Sequence, residues 1–531
     1  MPGGNAGIGT RGVMSGRIFH VTRRVGTVVG SLLVYVLIWL GLALLIAAAG
    51  IRFYWGEISV GQMLLNLVSV ETDGGGGAIV WAGILGIGVV PALITVAIAF
   101  WRHSRRRKRH RAGQGMLPRR KQWILRSIST VLVSAVVVGG TTAFSTTVGM
   151  ADYIKASQSP YDVGDYYVEP TVTDNTDKRN LVLIYLESGE ATLADDQLFE
   201  KDAFVPLKEA TAAEEGWQSV DDLQQYKGGG WTMAGLASTQ CGVPLKGAGF
   251  GSDSGSSPKV DEDADTYLGG ITCLGDVLDE QGYTSVFMGG ASSSFAAKDT
   301  FLTSHGYSEV KGLADWRAAG EPENSFRSDW GLSDERLMAN AKAKVDELHA
   351  ESERTGQPFN LSMLTLDTHE PVHIYDYCDV DTQNEVTSAF HCSMTQVAGF
   401  LGHMKEMGYL EDTAVVIMGD HLKHMSAGDA FHEQLDFHEN RTIFNRIWIP
   451  GQDKTIQQRP GVDQLSMYPT VLEAAGLTLQ DHEAGLGVSA FSPGIPAGSA
   501  QAKEAAAYAE LLDSHSPLFY AQAWAGKVAS Q

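Results

Sequence analysis

The chain has 531 residues, 44% of them hydrophobic, and 62 Asp and Glu against 40 Lys and Arg, a net charge of −22. That length accommodates one large domain plus accessory segments. The acidic balance argues against a nucleic acid or other polyanion as partner.

Three uncharged stretches near the start are long enough to cross a bilayer: 27–50 ("TVVGSLLVYVLIWLGLALLIAAAG"), 78–101 ("AIVWAGILGIGVVPALITVAIAFW") and 127–150 ("SISTVLVSAVVVGGTTAFSTTVGM"). The small residues of "LIAAAG" fit a signal-peptide cleavage site. The apolar run exceeds a usual signal core, however, so the first span is read as an uncleaved anchor. Arg11, Arg17, Arg23 and Arg24 precede it, and Arg52 alone among Lys and Arg lies between spans one and two. The next loop, "RHSRRRKRHRAGQGMLPRRK", is intensely basic. Basic flanks stay in the cytoplasm, which predicts an inside N-terminus and an outside location for everything after Met150. The same loop would touch anionic lipid headgroups.

Residues 1–150 thus form a predicted membrane anchor. Residues 151–179, polar and Tyr-rich with Pro160 and Pro170, read as a linker, and 180–531 as an extracytoplasmic domain. Beyond residue 150 the chain carries 24 basic and 59 acidic residues, so an anionic substrate there needs local positive charge, most simply a metal. All four cysteines, Cys241, Cys273, Cys378 and Cys392, lie in this part. An even number in an oxidising compartment reads as two disulfides, with three pairings open. Cys241 with Cys273 and Cys378 with Cys392 is preferred, because each closes a modest loop worth ~3 kcal/mol. No CxxC spacing supports metal ligation.

Within the outer domain, "NLVLIYLES" (180–188) is an apolar run ending in an acid, the pattern of a strand covered on both faces. Similar runs follow at 284–290, 359–369, 413–421 and 442–451. Helical stretches at 332–356 and 393–408 lie between them. The alternation predicts an α/β domain on a mostly parallel sheet. Function in such sheets collects at the carboxyl ends of strands, and Glu187, His369, Asp420 and His421 all stand there. The Ala-rich tail from residue 500 is predicted helical.

The stretch "YKGGGWTMAGLASTQCGVPL" (226–245) places three glycines before Thr232 at the predicted start of a helix, a setting suited to holding an anion. Glu187, Thr232, Asp420 and His421 together offer three oxygens and one imidazole nitrogen to a single ion. That set suits Mn²⁺ first, with Mg²⁺ or Zn²⁺ also compatible. A Thr hydroxyl is a poor nucleophile near neutral pH. A metal can lower the pKa of bound water by roughly nine units and would favour the Thr232 alkoxide in the same way, and the helix dipole adds to this.

With these motifs in order, joined by "CLGDVLDEQGYTSVFMGGASSSFAAKDTFLTSHGY", "LTLDTHEP" and "VVIMGDHLKHMS", the chain resembles the phosphoglycerol transferase I family of the alkaline phosphatase superfamily. That family is related to the lipoteichoic acid synthases. The resemblance covers about 180–480. It implies a sulfatase-like central sheet flanked by helices and preceded by membrane spans. It also implies a metal on Glu187, Thr232, Asp420 and His421, with Thr232 as nucleophile and His369 contacting phosphate or moving a proton. Lys298 falls where related synthases have an arginine near the phosphoglycerol, and Ala296 where some have an aromatic. His424 and His432 follow the metal motif and read first as surface residues.

The mechanism implied is double displacement at the outer face of a bacterial inner membrane. Phosphoglycerol passes from phosphatidylglycerol to Thr232 and then to a glycan or lipoglycan hydroxyl. A phosphoethanolamine transferase, a phosphoglycerol-releasing hydrolase and an inactive envelope scaffold are the alternatives. A sulfatase activity is set aside, because "WTMAG" lacks the C/S-x-P-x-R context of its nucleophile.

Overall fold

The computed structural model of the chain describes residues 11–55, 81–113, 118–247, 266–327, 330–423 and 430–525. It divides into two units, one of helices before Gly149 and one chiefly from Gly149 onward. Among the described residues, three helices of the first unit are long and apolar enough to cross a membrane, over Val28–Phe53, Trp81–Arg109 and Arg119–Thr147. The third is the least apolar of the three, following its larger share of Ser, Thr and Gly. Large apolar side chains such as Leu32, Leu93 and Val131 point outward and are exposed, as suits helices solvated by lipid. The expected start of the second span at 78–80 lies outside the described residues.

The second unit is built on six strands: β1 (Asn180–Leu186), β2 (Thr284–Gly289), β3 (Tyr307–Lys311), β4 (Phe359–Leu364), β5 (Thr413–Gly419) and β6 (Asn445–Trp448). They lie in the order β3-β2-β4-β1-β5-β6. All neighbours are parallel except β6, which runs antiparallel to β5. Every residue of β1 and β5 is buried, because side chains alternate between two covered faces. Leu181, Leu183 and Tyr185 enter one core, and Val182, Ile184 and Leu186 enter the other.

On the first face lie α1 (Thr232–Cys241) and α4 (Gln464–Ala474), and on the second α2 (Asp334–Thr355) and α3 (Glu385–Glu406). A disulfide joins Cys241 at the end of α1 to Cys273, and a second joins Cys378 to Cys392. Segment 151–179 lies along this unit rather than apart from it. Val172–Asp174 pairs with Thr478–Leu479, and Val168 bridges Gly485. The tail is helical over Ala505–Asp513 and Pro517–Ala523. It is tied down by the Tyr520 hydroxyl on the Pro244 carbonyl at 2.7 Å and the Trp524 indole on the Lys246 carbonyl at 2.7 Å.

Candidate active site at the strand ends

Parallel strands deliver their carboxyl ends to one edge of the sheet, so the residues following β1, β4 and β5 meet there. Glu187 follows β1, and Asp420 and His421 follow β5. One ligand atom from each of the three lies within 4.8 Å of the others, and all three residues are buried. His421 Nε2 stands 3.6 Å from Glu187 Oε1 and 3.5 Å from Asp420 Oδ2. The Thr232 hydroxyl at the start of α1 lies 3.4 Å from Glu187 Oε2.

The donor set fits a cation on its own chemistry. His421 Nδ1 faces the Leu422 carbonyl at 2.7 Å, so Nδ1–H donates there and the Nε2 lone pair turns to the carboxylates. Asp420 uses Oδ1 to accept the N–H groups of Ser188 at 2.9 Å and His421 at 2.8 Å. Among the described residues its Oδ2 is buried without a hydrogen-bond partner, a costly state that a ligated ion would relieve. Burial and the Glu187 charge push the Asp420 carboxyl up to about 7. Burial opposes the imidazolium of His421, yet the Asp420 and Glu187 charges outweigh it and raise that group too. Cys241, Cys273 and His305 also cluster, but there the two sulfurs are bonded to each other.

Backbone packing sets the geometry. A Cβ on Gly235, in the first turn after Thr232, would meet the Asp420 carbonyl oxygen at 2.2 Å, so glycine lets α1 lie against the Asp420 main chain. Gly229 has the same role in the Gly-rich loop, where a Cβ would meet Gln464 Oε1 at 2.2 Å. Gln464 is in turn the strut of this region. Its amide donates to the Asp420 carbonyl at 2.8 Å and the Gly229 carbonyl at 3.3 Å. Two threonines after β4 clamp the Glu187 main chain: Thr365 Oγ1 accepts its N–H at 2.9 Å and Thr368 Oγ1 donates to its carbonyl at 2.6 Å. Gln464, Thr365 and Thr368 escape a reading of the sequence. Thr368 is marked in the sequence only by standing next to His369 in "LTLDTHEP".

His369 sits within electrostatic reach of Glu187 and His421, and burial holds its imidazole below the ordinary histidine range. Its Nδ1 faces the Glu370 carbonyl at 2.7 Å, and its ring lies 4.4 Å from that of Trp330. Lys298 is buried at the start of Lys298–Ser304, within reach of the Glu187 and Asp420 charges. Burial lowers its ammonium. His432 is half-buried in the turn His432–Leu435, outside the three-residue cluster. His424 lies outside the described residues.

Acid and imidazole side chains clustered at the carboxyl edge of a mostly parallel sheet, beside a helix that opens on Thr232, define an alkaline-phosphatase-type α/β domain. Residues 180–477 match the Sulfatase family model, and the chain belongs to that family. It is 30% identical over 453 residues to phosphoglycerol transferase I of Salmonella arizonae, covering 83% of this chain and 54% of that protein. The enzyme of the same name from Escherichia coli O127:H6 is 31% identical over 418 residues, covering 77% and 50%. The chain therefore spans about half the length of the curated relatives it matches. Among solved structures, lipoteichoic acid synthase LtaP from Listeria monocytogenes aligns with a TM-score of 0.44 at 17% identity, over 64% of this chain and 80% of that one.

Proposed function

We propose that the chain transfers phosphoglycerol from phosphatidylglycerol to a hydroxyl of an envelope glycan or lipoglycan, with Thr232 carrying the group between them. The observation that bears most weight is the Thr232 hydroxyl at the N-terminus of α1, 3.4 Å from Glu187, which itself clusters with Asp420 and His421. The relatives named phosphoglycerol transferase I supply the substrate class. Glu187, Thr232, Asp420 and His421 would hold one divalent cation, Mn²⁺ in the first instance. When bound, that ion supplies Lewis-acid stabilisation of the ionised Thr232 oxygen and of charge on the phosphoryl group.

The remaining work belongs to the protein's own groups. Thr232 gives up its proton to His369 Nε2, and its oxygen bonds to phosphorus. The diacylglycerol oxygen breaks from phosphorus and departs with a proton from His369 Nε2. In the second step an acceptor hydroxyl gives its proton to His369 Nε2 and bonds to phosphorus, and His369 returns that proton to Thr232 as the Thr232 oxygen breaks from phosphorus. Lys298 offsets charge on the phosphoryl oxygens. The basic loop at 102–121 favours a cytoplasmic N-terminus, which would put this site at the outer leaflet, where donor lipid and envelope glycan are both at hand.

The test uses the full chain in detergent with phosphatidylglycerol and Mn²⁺. Mass spectrometry of the peptide holding Thr232 should find about 154 Da added, absent in Thr232→Ala. Neither adduct nor released diacylglycerol, with Mn²⁺ bound, would sink the reading in favour of phosphoethanolamine transfer or an inactive scaffold.

A further inference from the structure

Two ion pairs lie behind the site and take no part in the chemistry above. Lys423 Nζ is 2.6 Å from Glu370 Oε1, with the lysine side chain wholly buried. Arg441 grips Glu190 with Nε on Oε1 at 2.8 Å and Nη2 on Oε2 at 2.5 Å, and here the glutamate is wholly buried. The pairs are laced together through the main chain of Lys423. Its N–H donates to Glu190 Oε2 at 3.0 Å, and its carbonyl accepts from Arg441 Nη2 at 2.6 Å.

These four residues connect the segments that carry the site. Glu190 lies just beyond Glu187, Lys423 just beyond His421, and Glu370 directly follows His369. The Glu370 carbonyl receives the His369 Nδ1–H at 2.7 Å, and its carboxylate also accepts the N–H groups of Val372 and Ala430, each at 3.3 Å. A shift of Glu370 therefore carries the imidazole with it. Stability does not account for such an arrangement, because a buried ion pair is often matched or bettered by apolar residues of similar volume.

We propose that Glu370 and Lys423 are positioning residues. Their ion pair fixes the carbonyl that orients His369, and so sets the distance and tautomer of His369 Nε2 relative to the Glu187, Asp420 and His421 cluster. Glu190 and Arg441 are the anchor of the pair. The proposal rests on the reading of His369 as the proton carrier, and its test separates the two.

The variants are Glu370→Met, Lys423→Met, the double variant and Lys423→Arg, all in the full chain in detergent with ¹⁵N-labelled histidine. The double variant replaces the pair by apolar side chains and should fold. Ring ¹⁵N shifts should place His369 in a single Nδ1–H tautomer in the wild type and a mixture in either single Met variant. Phosphoglycerol transfer should lose about 100-fold in kcat, as misplacement of a catalytic group by about 1 Å does, with KM and Mn²⁺ affinity little changed. The double variant should be no worse than the poorer single one, and Lys423→Arg should recover most of the rate. Unchanged His369 shifts in the Met variants overturn the proposal, as do kcat losses that simply multiply in the double variant. A wild type inert towards phosphatidylglycerol refutes the function reading alone, and the ring shifts then decide the positioning role by themselves.

Discussion

Gly235→Ala is the sharpest perturbation the site offers. The added methyl would stand 2.2 Å from the Asp420 carbonyl oxygen and 3.0 Å from its carbon, whereas ordinary contact begins near 3.4 Å. Both obstacles are main-chain atoms, so no rotamer change relieves them, and α1 or the Asp420 loop must move by about 1 Å at an overpacking cost of about 1–3 kcal/mol. Thr232 is less than one turn away on the same helix and moves with it, away from a Glu187 oxygen that it meets at 3.4 Å. Activity should then fall by about 100-fold. Gly402→Ala is the matched control: Gly402 lies inside Glu385–Glu406, and a methyl added there would find nothing within 4 Å. There the helix propensity of alanine should stabilise the protein by about 0.5–1 kcal/mol with activity intact. Thermal melts and single-turnover transfer measured on both variants decide the matter. Equal melting points and wild-type transfer in Gly235→Ala would refute the claim that glycine is needed for the approach of α1.

Two further outcomes follow from the same geometry. Burial lowers the His369 imidazole against the pull of the Glu187 charge, and the Arg327 charge adds to the lowering. Since His369 must be neutral to accept the acceptor's proton, kcat/KM should rise with pH through a limb below the ordinary histidine value of about 6.5 and level off at neutrality. A limb above that value, lost in His369→Gln, would contradict the assignment. Removing Cys241–Cys273 as an Ala pair should cost about 4 kcal/mol and removing Cys378–Cys392 about 3, because the residues are 32 and 14 apart. Denaturant midpoints check the order, and a larger loss from the shorter loop would count against the chain-entropy argument.

What the sequence made legible tracks how local each determinant is. Four of the six sheet strands stand out because strands covered on both faces are continuous apolar runs, and Asn445–Trp448, an edge strand with alternate residues buried, stands out within the apolar stretch 442–451. Tyr307–Lys311, at the other edge, does not, since only Tyr307 of "YSEVK" is buried and the rest reads as polar loop. Glu187, Asp420 and His421 are readable as polar residues closing apolar runs, and Thr232 as the residue that ends a glycine stretch. The struts that hold them are invisible for the opposite reason. Gln464 reaches Asp420 across 44 residues, Thr368 reaches Glu187 across 181, and Lys423 reaches Glu370 across 53. No periodicity or motif marks a residue whose partner is fixed only by the order of strands in the sheet.

The electrostatics of the cluster explain why that scaffolding is so dense. Glu187 and Asp420 repel each other on buried side chains beside His421, and the response is visible in Asp420, raised by burial and the Glu187 charge, and in His421, raised by both carboxylates. A divalent cation bound there would compete with protons for the same oxygens, so its binding should release protons and weaken as pH falls. An arrangement that repels itself in the absence of a cation holds its shape only if the backbone is fixed from outside. The Gln464 amide, the Thr365 and Thr368 hydroxyls and the close contact at Gly235 supply that restraint, each acting on main-chain atoms rather than on the side-chain donors of the cluster.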